Sequence, residues 1–209
     1  MRISGGYLRG RTVPSPGSSF TRPTTERIRE AMFSMLATTV VDAHVLDLFA
    51  GCGLLGLEAL SRGAQSAWFV EQHAPTARQL RQILTNFQLS DRADVINGPV
   101  DFPTLQRLHA QATLKTGQQM SFNLVLMDPP YGKGLAEASL AMLPKTGLLA
   151  PETVAVVEHE GEVAPSLFCQ APWRLWKSRR HGATAITLLF FEADSSMPNS
   201  SPFRDSATP

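Results

Sequence analysis

The sequence predicts an α/β fold: a mostly parallel, Rossmann-like sheet with helices on both faces, closed by an antiparallel hairpin strand. Three observations carry this expectation. Short apolar runs alternate with helix-period segments from residue 44 to residue 157, a glycine-rich turn joins the first run to the helix after it, and two adjacent strand-like segments end the ordered pattern.

In order along the chain, residues 1–23 are rich in Gly, Pro, Ser and Arg and read as a short strand followed by a loop. From Thr24 the pattern is helical, with Ile28, Ala31, Met32, Met35 and Leu36 on one face. Residues 44–49 form a first apolar strand, and residues 54–62 a helix stopped by Gly63. A second strand spans 66–70 and ends in Glu71; a helix over 75–89 turns Ala77, Leu80, Ile83, Leu84 and Phe87 inward. A strand over 93–97, a helix over 104–112 and a polar stretch over 113–121 lead to the fourth strand at 122–127. A helix over 135–143 and a fifth strand over 153–157 follow. Residues 173–177 and 185–191 read as two strands joined by a basic turn over 178–182. The organisation expected is a basic N-terminal extension over 1–23, one domain over 24–192, and a Ser- and Pro-rich disordered tail over 193–209.

Composition narrows the class. At 209 residues, 43% apolar and 18% charged, the chain suits one soluble domain. No apolar run is long enough to span a bilayer, the N-terminus lacks a signal-peptide core, and Cys52 and Cys169 show no metal-ligand spacing. A reducing, cytoplasmic setting with no membrane and no metal is expected, and the chain is expected to act as a monomer. The net charge of +1 hides an asymmetry. Residues 1–30 hold six arginines against Glu26 and Glu30, and residues 173–182 hold Arg174, Lys177, Arg179 and Arg180 with no acid. Each segment is thus +4, which leaves the rest of the chain at −7. An acidic body with two basic segments fits a phosphate backbone held at chosen places, and guanidinium suits phosphate better than ammonium does. Arg9, Arg11, Arg22, Arg179 and Arg180 are the candidate nucleic-acid contacts; two solvated surfaces are the plain alternative.

Gly51-Cys52-Gly53-Leu54-Leu55-Gly56 follows a strand and opens a helix, with Glu71 twenty residues past Gly51. Glycine keeps side chains out of a cofactor's path, and an acid ending the next strand can accept both hydroxyls of a ribose. By itself this pattern also fits a dinucleotide site and hence an NAD-dependent oxidoreductase. Asp47, four residues before Gly51, tilts the choice to S-adenosyl-L-methionine, because a carboxylate there suits an ammonium and not a pyrophosphate.

Asp128-Pro129-Pro130-Tyr131 closes the fourth strand, at the sheet end where doubly wound folds place ligands. An exocyclic base amine delocalises its lone pair into the ring and is a weak nucleophile. Acceptors aimed at its two N–H bonds, such as the Asp128 carboxylate and the Pro129 carbonyl, favour pyramidalisation. Pro129 and Pro130 fix φ and remove competing donors, and Tyr131 offers a ring for stacking. The pattern points to methylation of a base amine and leaves adenine N6, cytosine N4 and guanine N2 open. A strand-ending turn without chemistry, and a silent RNA-binding module, are the competing readings. Cys52 reads as a small residue tolerated between glycines, Trp173 and Trp176 as hairpin core, and His73, His159 and His181 as surface residues.

With those residues, the chain resembles the RsmD-type family of bacterial 16S ribosomal RNA (guanine-N2) methyltransferases. The resemblance covers about residues 1–192. It is carried by Arg2-Ile3-Ser4-Gly5-Gly6 with Arg9-Gly10-Arg11, and by Arg22-Pro23-Thr24-Thr25-Glu26-Arg27-Ile28-Arg29-Glu30. Leu46-Asp47-Leu48-Phe49-Ala50-Gly51-Cys52-Gly53, Gly56-Leu57-Glu58-Ala59-Leu60-Ser61-Arg62-Gly63-Ala64 and the Asp-Pro-Pro-Tyr signature complete it. The arginine-proline-threonine segment is the specific part, since DNA amino methyltransferases share only the last signature. The resemblance implies a class I S-adenosylmethionine-dependent methyltransferase fold, cofactor contacts from Asp47, Gly51, Gly53 and Glu71, and a base site at Asp128 to Tyr131. It also implies 16S ribosomal RNA, free or in the small ribosomal subunit, as partner and the N2 amine of guanine 966 as target. One departure stands out: Pro99 occupies the place where the family offers an acid or amide to the cofactor's adenine, which moves that contact to the Val100 amide or to a shifted Asp101.

Overall fold

The structure is a computed structural model that describes residues 1–14 and 25–192. Its elements in order are α1 (Glu26–Leu36), β1 (His44–Leu48), α2 (Leu54–Ser61), β2 (Ser66–Glu71), α3 (Ala74–Asn86), β3 (Ala93–Asn97) and α4 (Phe102–Thr116). They continue with β4 (Phe122–Met127), α5 (Leu135–Met142), β5 (Leu149–Glu160), β6 (Trp173–His181) and β7 (Thr184–Phe191). The seven strands form one sheet in the order β3-β2-β1-β4-β5-β7-β6. Strands β1 to β5 are parallel, and β7 enters antiparallel between β5 and β6.

The sheet divides the core in two, as the alternation of side chains along each strand requires. On one side Val45, Phe69, Val95, Leu124, Leu126, Val154 and Val156 pack with α1, α2 and α3. On the other, Leu46, Leu48, Trp68, Val125, Val157 and Leu189 pack with Leu105, Leu108 and Leu140 of α4 and α5. Trp173 is buried in this second core and donates its indole N–H to the Leu140 carbonyl at 2.8 Å. Trp176 is partly buried against the first.

Three elements depart from the sequence expectation. Helix α4 continues through residues 113–116 instead of ending at 112. Asp101 caps its start, accepting from the Thr104 N–H at 2.8 Å, and Gly117 ends it at φ 71°. The added turn brings Lys115 onto the Ser90 and Ala93 carbonyls, both at 2.8 Å, a tertiary anchor with no local signal. Strand β5 is twelve residues long rather than five: pairing with β7 extends it to Glu160, and at its start Leu149 pairs with Phe122 of β4. The basic segment 178–182 is not a turn: β6 runs to His181, and Gly182 with Ala183 makes the reversal. As the outer strand of the sheet, β6 carries its charges on a solvated face, where they also discourage edge-to-edge pairing. His159 is likewise a correction. It is buried, bonded through Nε2 to Thr187 Oγ1 at 2.8 Å and tilted against the Phe168 ring, and burial pushes its pKa down.

The N-terminal segment is packed into the domain. Ile3, Leu8 and Val13 are buried in the first core, and Arg2 bridges Thr12. Its anchor is Glu58, fully buried on α2. The Glu58 carboxylate accepts from Ser4 N and Ser4 Oγ at 2.8 Å, Gly5 N at 2.7 Å, Arg29 Nε at 3.1 Å and Arg62 Nε at 2.8 Å. Arg29 is equally buried and donates a second bond to the Arg2 carbonyl at 2.7 Å. It is therefore a structural charge, unlike the exposed arginines around it.

Burial by itself raises the Glu58 pKa, but the Ser4 and Arg62 donors outweigh it and hold the carboxyl below its ordinary value. Glu58→Ala should cost about 3–5 kcal/mol in urea unfolding at pH 7, since it leaves the Arg29 guanidinium buried without its partner. A depressed carboxyl stabilises the fold above its ordinary value of 4.5 and loses that contribution as pH falls through the lower folded value. The stability gap between wild type and Glu58→Gln should accordingly narrow below pH 4.5, measured by unfolding midpoints across an acid series.

Candidate active site

The carboxyl ends of β1, β2, β4 and β5 open into one cleft of about 1410 Å³. This exceeds the roughly 300–1,000 Å³ of an ordinary small-molecule pocket, which leaves room for two ligands side by side. Strand alternation and register explain which side chains face it. Leu48 pairs with Val70 and Met127, and Met127 with Val157. The next residues, Phe49, Glu71, Asp128 and Glu158, therefore stand at one level, the first three at the ends of their strands and Glu158 two residues before the end of β5. Asp47 sits two residues lower on the same side as Glu71, Asp128 and Glu158. All five line the cleft.

The turn after β1 is built on positive φ values. Phe49 stands at φ 63°, Gly51 at 54° and Gly53 at 77°. A Cβ on Gly53 would come within 2.4 Å of Leu80, so that glycine is needed for packing against α3. A Cβ on Gly51 would meet no protein atom within 4 Å; its missing side chain leaves open space on the cleft side, which is what a nucleoside cofactor needs. Glu71 is pre-oriented at this turn: one oxygen accepts from Gly51 N at 2.8 Å and the other from His73 N at 2.6 Å. Ala50 N donates to the Val70 carbonyl at 2.9 Å and ties the turn to β2.

Asp47 is 1% exposed and accepts from the Gly56 N–H at 2.9 Å. Its pKa is pushed up to about 8, chiefly by burial, which the Gly56 N–H partly offsets and the charges of Asp128 and Glu71 reinforce. A cation bound beside Asp47 would reverse that shift. Cys52 is buried and its thiol is pushed up by burial, which leaves it no nucleophilic character. At the far wall Val100 lines the cleft, whereas the Asp101 carboxylate is occupied as the α4 cap. Of the two alternatives for an adenine contact, Val100 is the one among the cleft-lining residues.

Pro129 is buried, and Asp128, Pro130 and Tyr131 line the cleft with it. Tyr131 exposes its ring and extends its hydroxyl toward Thr184 Oγ1 at 3.3 Å and Glu158 Oε1 at 3.5 Å, long contacts that steer the ring's edge. The hairpin closes the rim with Arg180, His181, Gly182, Ala183 and Thr184, and Arg27 and Lys133 stand at the mouth.

The candidate basic residues divide. Arg180 lines the cleft, and Arg179 is its exposed neighbour on β6. Arg9 and Arg11 are exposed outside it, Arg11 lying over the Phe87 ring at 4.3 Å. Arg22 lies outside the described residues. Glu158, Thr184, Arg27 and Lys133 were not singled out from the sequence. Lys133 follows Tyr131 by two residues, and Arg27 sits within the basic N-terminal segment, so both had a weak local signal; Glu158 had none. Among the described residues, no group of three or more His, Cys, Asp and Glu side chains is arranged to hold a metal ion, and no helix is long and apolar enough to cross a membrane.

Comparison with known proteins gives a consistent picture. The family model described as Conserved hypothetical protein 95 matches residues 1–190. The chain is 38% identical over 194 residues to the ribosomal RNA small subunit methyltransferase D of Escherichia coli K12, covering 92% of this chain and 91% of that one. It is 35% identical over 191 residues to the Haemophilus influenzae protein of the same name, covering 90% and 92%. A solved structure of a hypothetical protein from Thermus thermophilus superposes with a TM-score of 0.70 at 31% identity, covering 92% of this chain and 99% of that one.

The Asp47 environment has a measurable consequence in the protein alone. A carboxyl whose folded pKa is raised costs no stability below its ordinary value of 3.8, and costs progressively more as pH rises toward about 8. Asp47→Asn removes that cost and keeps an acceptor for Gly56 N. Its stability advantage over wild type should be about 2–4 kcal/mol larger at pH 8 than at pH 5 in urea unfolding. A pH-independent difference would show that burial does not set the Asp47 proton.

Proposed function

Because the chain belongs to the family of the ribosomal RNA small subunit methyltransferase D proteins, we propose that it transfers a methyl group from S-adenosyl-L-methionine to the N2 amine of a guanine in 16S ribosomal RNA. The single observation that carries the reading is that the Asp128-Pro129-Pro130-Tyr131 segment and the Gly51–Glu71 turn open into the same cleft from neighbouring strands. A donor held at one end thus lies beside an amine held at the other. The target suggested by the relatives' common name is small-subunit RNA, and guanine 966 is the finer proposal.

The residues fit the cofactor. Glu71 would take the ribose hydroxyls with the oxygen edges not used by Gly51 and His73. Asp47 would take the ammonium, the space over Gly51 the nucleoside, and Val100 the adenine edge. When bound, S-adenosylmethionine supplies an electrophilic methyl on a sulfonium, so the chain's own residues need to orient the acceptor more than to activate it chemically. The Asp128 carboxylate and the Pro129 carbonyl accept the two N–H bonds of the amine and direct its lone pair toward the donor. Tyr131 stacks on the base. The proton lost by the methylated amine passes to Asp128 or to solvent. Arg27, Lys133 and Arg180 at the mouth, with Arg9, Arg11 and Arg179 further out, hold the flanking phosphates of the RNA or small subunit, and Arg22 is proposed to join them.

The deciding experiment incubates the protein with labelled S-adenosylmethionine and undermethylated small-subunit RNA, free and in particles, and maps the modified base by mass spectrometry. Label on an adenine or cytosine amine of DNA, or NAD binding without S-adenosylhomocysteine binding, would overturn the reading.

Two variant sets test the assignment of roles. Asp128→Ala should nearly abolish single-turnover methylation while RNA binding is kept, as expected for an interaction that matters chiefly in the transition state. Tyr131→Phe should keep most activity, whereas Tyr131→Ala should lose about 1–3 kcal/mol of stacking; equal damage from both would assign the function to the hydroxyl. Removing Arg179 and Arg180 together with Arg9 should reduce the dependence of RNA affinity on salt and leave cofactor affinity unchanged. An unchanged salt slope would place the phosphates elsewhere.

A further inference from the structure

We propose that Glu158 is the residue that distinguishes guanine from the other amino bases, by accepting the ring N1–H beside the amine that is methylated. This rests on the reading that Asp128 and Pro129 receive a base amine. The register that pairs Met127 with Val157 puts Asp128, just past the end of β4, next to Glu158 of β5. Alternation puts them on one side: Leu124 and Leu126 of β4, and Val154 and Val156 of β5, all belong to the core with α1 to α3. Glu158 is only 5% exposed, yet it lines the cleft with Asp128, Pro129 and Tyr131. Its Oε1 is steered by the Tyr131 hydroxyl at 3.5 Å, which itself meets Thr184 Oγ1 at 3.3 Å.

A carboxyl group ending the apolar run Val154 to Val157 is costly to bury unless donors reach it. The bases differ in what they bring there. In guanine the amine is flanked by the N1–H, so the edge presents two donors in a row. In adenine and cytosine the amine is flanked by a ring-nitrogen lone pair. With the amine at Asp128, the neighbouring ring position falls toward Glu158. An acceptor at that position rewards guanine and sets lone pair against lone pair for the other two. This pairing also accounts for two adjacent carboxylates where amine activation requires one.

The test uses small-subunit RNA in which the target guanine is replaced by 2-aminopurine, which keeps the 2-amino group but carries a lone pair at N1. Wild type should prefer guanine by about 100-fold or more in kcat/KM. Glu158→Gln, whose amide can either donate or accept, should reduce methylation of guanine and shrink that preference by about ten-fold or more, with S-adenosylhomocysteine affinity unchanged in calorimetry. Wild type that methylates 2-aminopurine as well as guanine overturns the proposal without any variant, as does an unchanged preference in Glu158→Gln. Failure of wild type to methylate the guanine RNA at all overturns the functional reading, and the proposal with it; the two failures are thus separable.

Discussion

The Glu58 carboxylate is the contact on which the remaining geometry rests. It sits on α2, the helix that begins at the glycine turn, and gathers donors from the N-terminal segment, from α1 and from its own helix. A fully buried charge is tolerable only when its donors are all in place. Folding of the first thirteen residues, docking of α1 and seating of α2 are therefore coupled to one another. Because α2 carries Gly56, whose N–H holds Asp47, the same network also sets the floor of the cleft. A segment that reads as a basic extension is in this way a structural part of the active domain.

The cleft concentrates what the rest of the fold avoids. Carboxyl groups of four adjacent strands gather at or near one level, burial pushes the Asp47 pKa up to about 8, and Phe49 adopts a backbone conformation that a bulky residue rarely accepts. None of this favours the protein by itself. A cationic donor and a base rich in N–H groups would compensate the carboxylates, so the energetic cost borne by the free protein is a statement about its ligands. The basic mouth complements the acidic floor: Arg27, Lys133 and Arg180 line the same cleft as Asp47, Glu71, Asp128 and Glu158, the charge pattern that the proposed RNA and cofactor would require.

Legibility of the fold from sequence followed the physics of burial. The parallel strands were readable because a strand covered on both faces is a short, continuous apolar run. The placement of the glycine turn and of the Asp-Pro-Pro-Tyr segment at strand ends was readable because each is a run of contiguous residues that directly follows an apolar strand. Elements supported by tertiary contacts were not. The last turn of α4 is supported by Lys115 reaching the Ser90 and Ala93 carbonyls; the length of β5 depends on β4 and β7, and the extension of β6 depends on its pairing with β7. His159 resembled a surface histidine because its hydrogen-bond partner, Thr187, lies on a strand 28 residues away.

The chain by itself thus determined its fold class, its strand-turn-helix glycine turn and the contiguous Asp128-Pro129-Pro130-Tyr131 segment, all of which are local patterns enforced by period, by φ and by the order of neighbouring residues. Only the tertiary structure decided that Glu58 and Arg29 form one buried pair, that Asp101 caps a helix, that Arg180 but not Arg9 reaches the cleft, and that Glu158 stands beside Asp128. Those facts depend on which strands become neighbours and at what register. That is a property of packing between distant segments, and no single segment carries it.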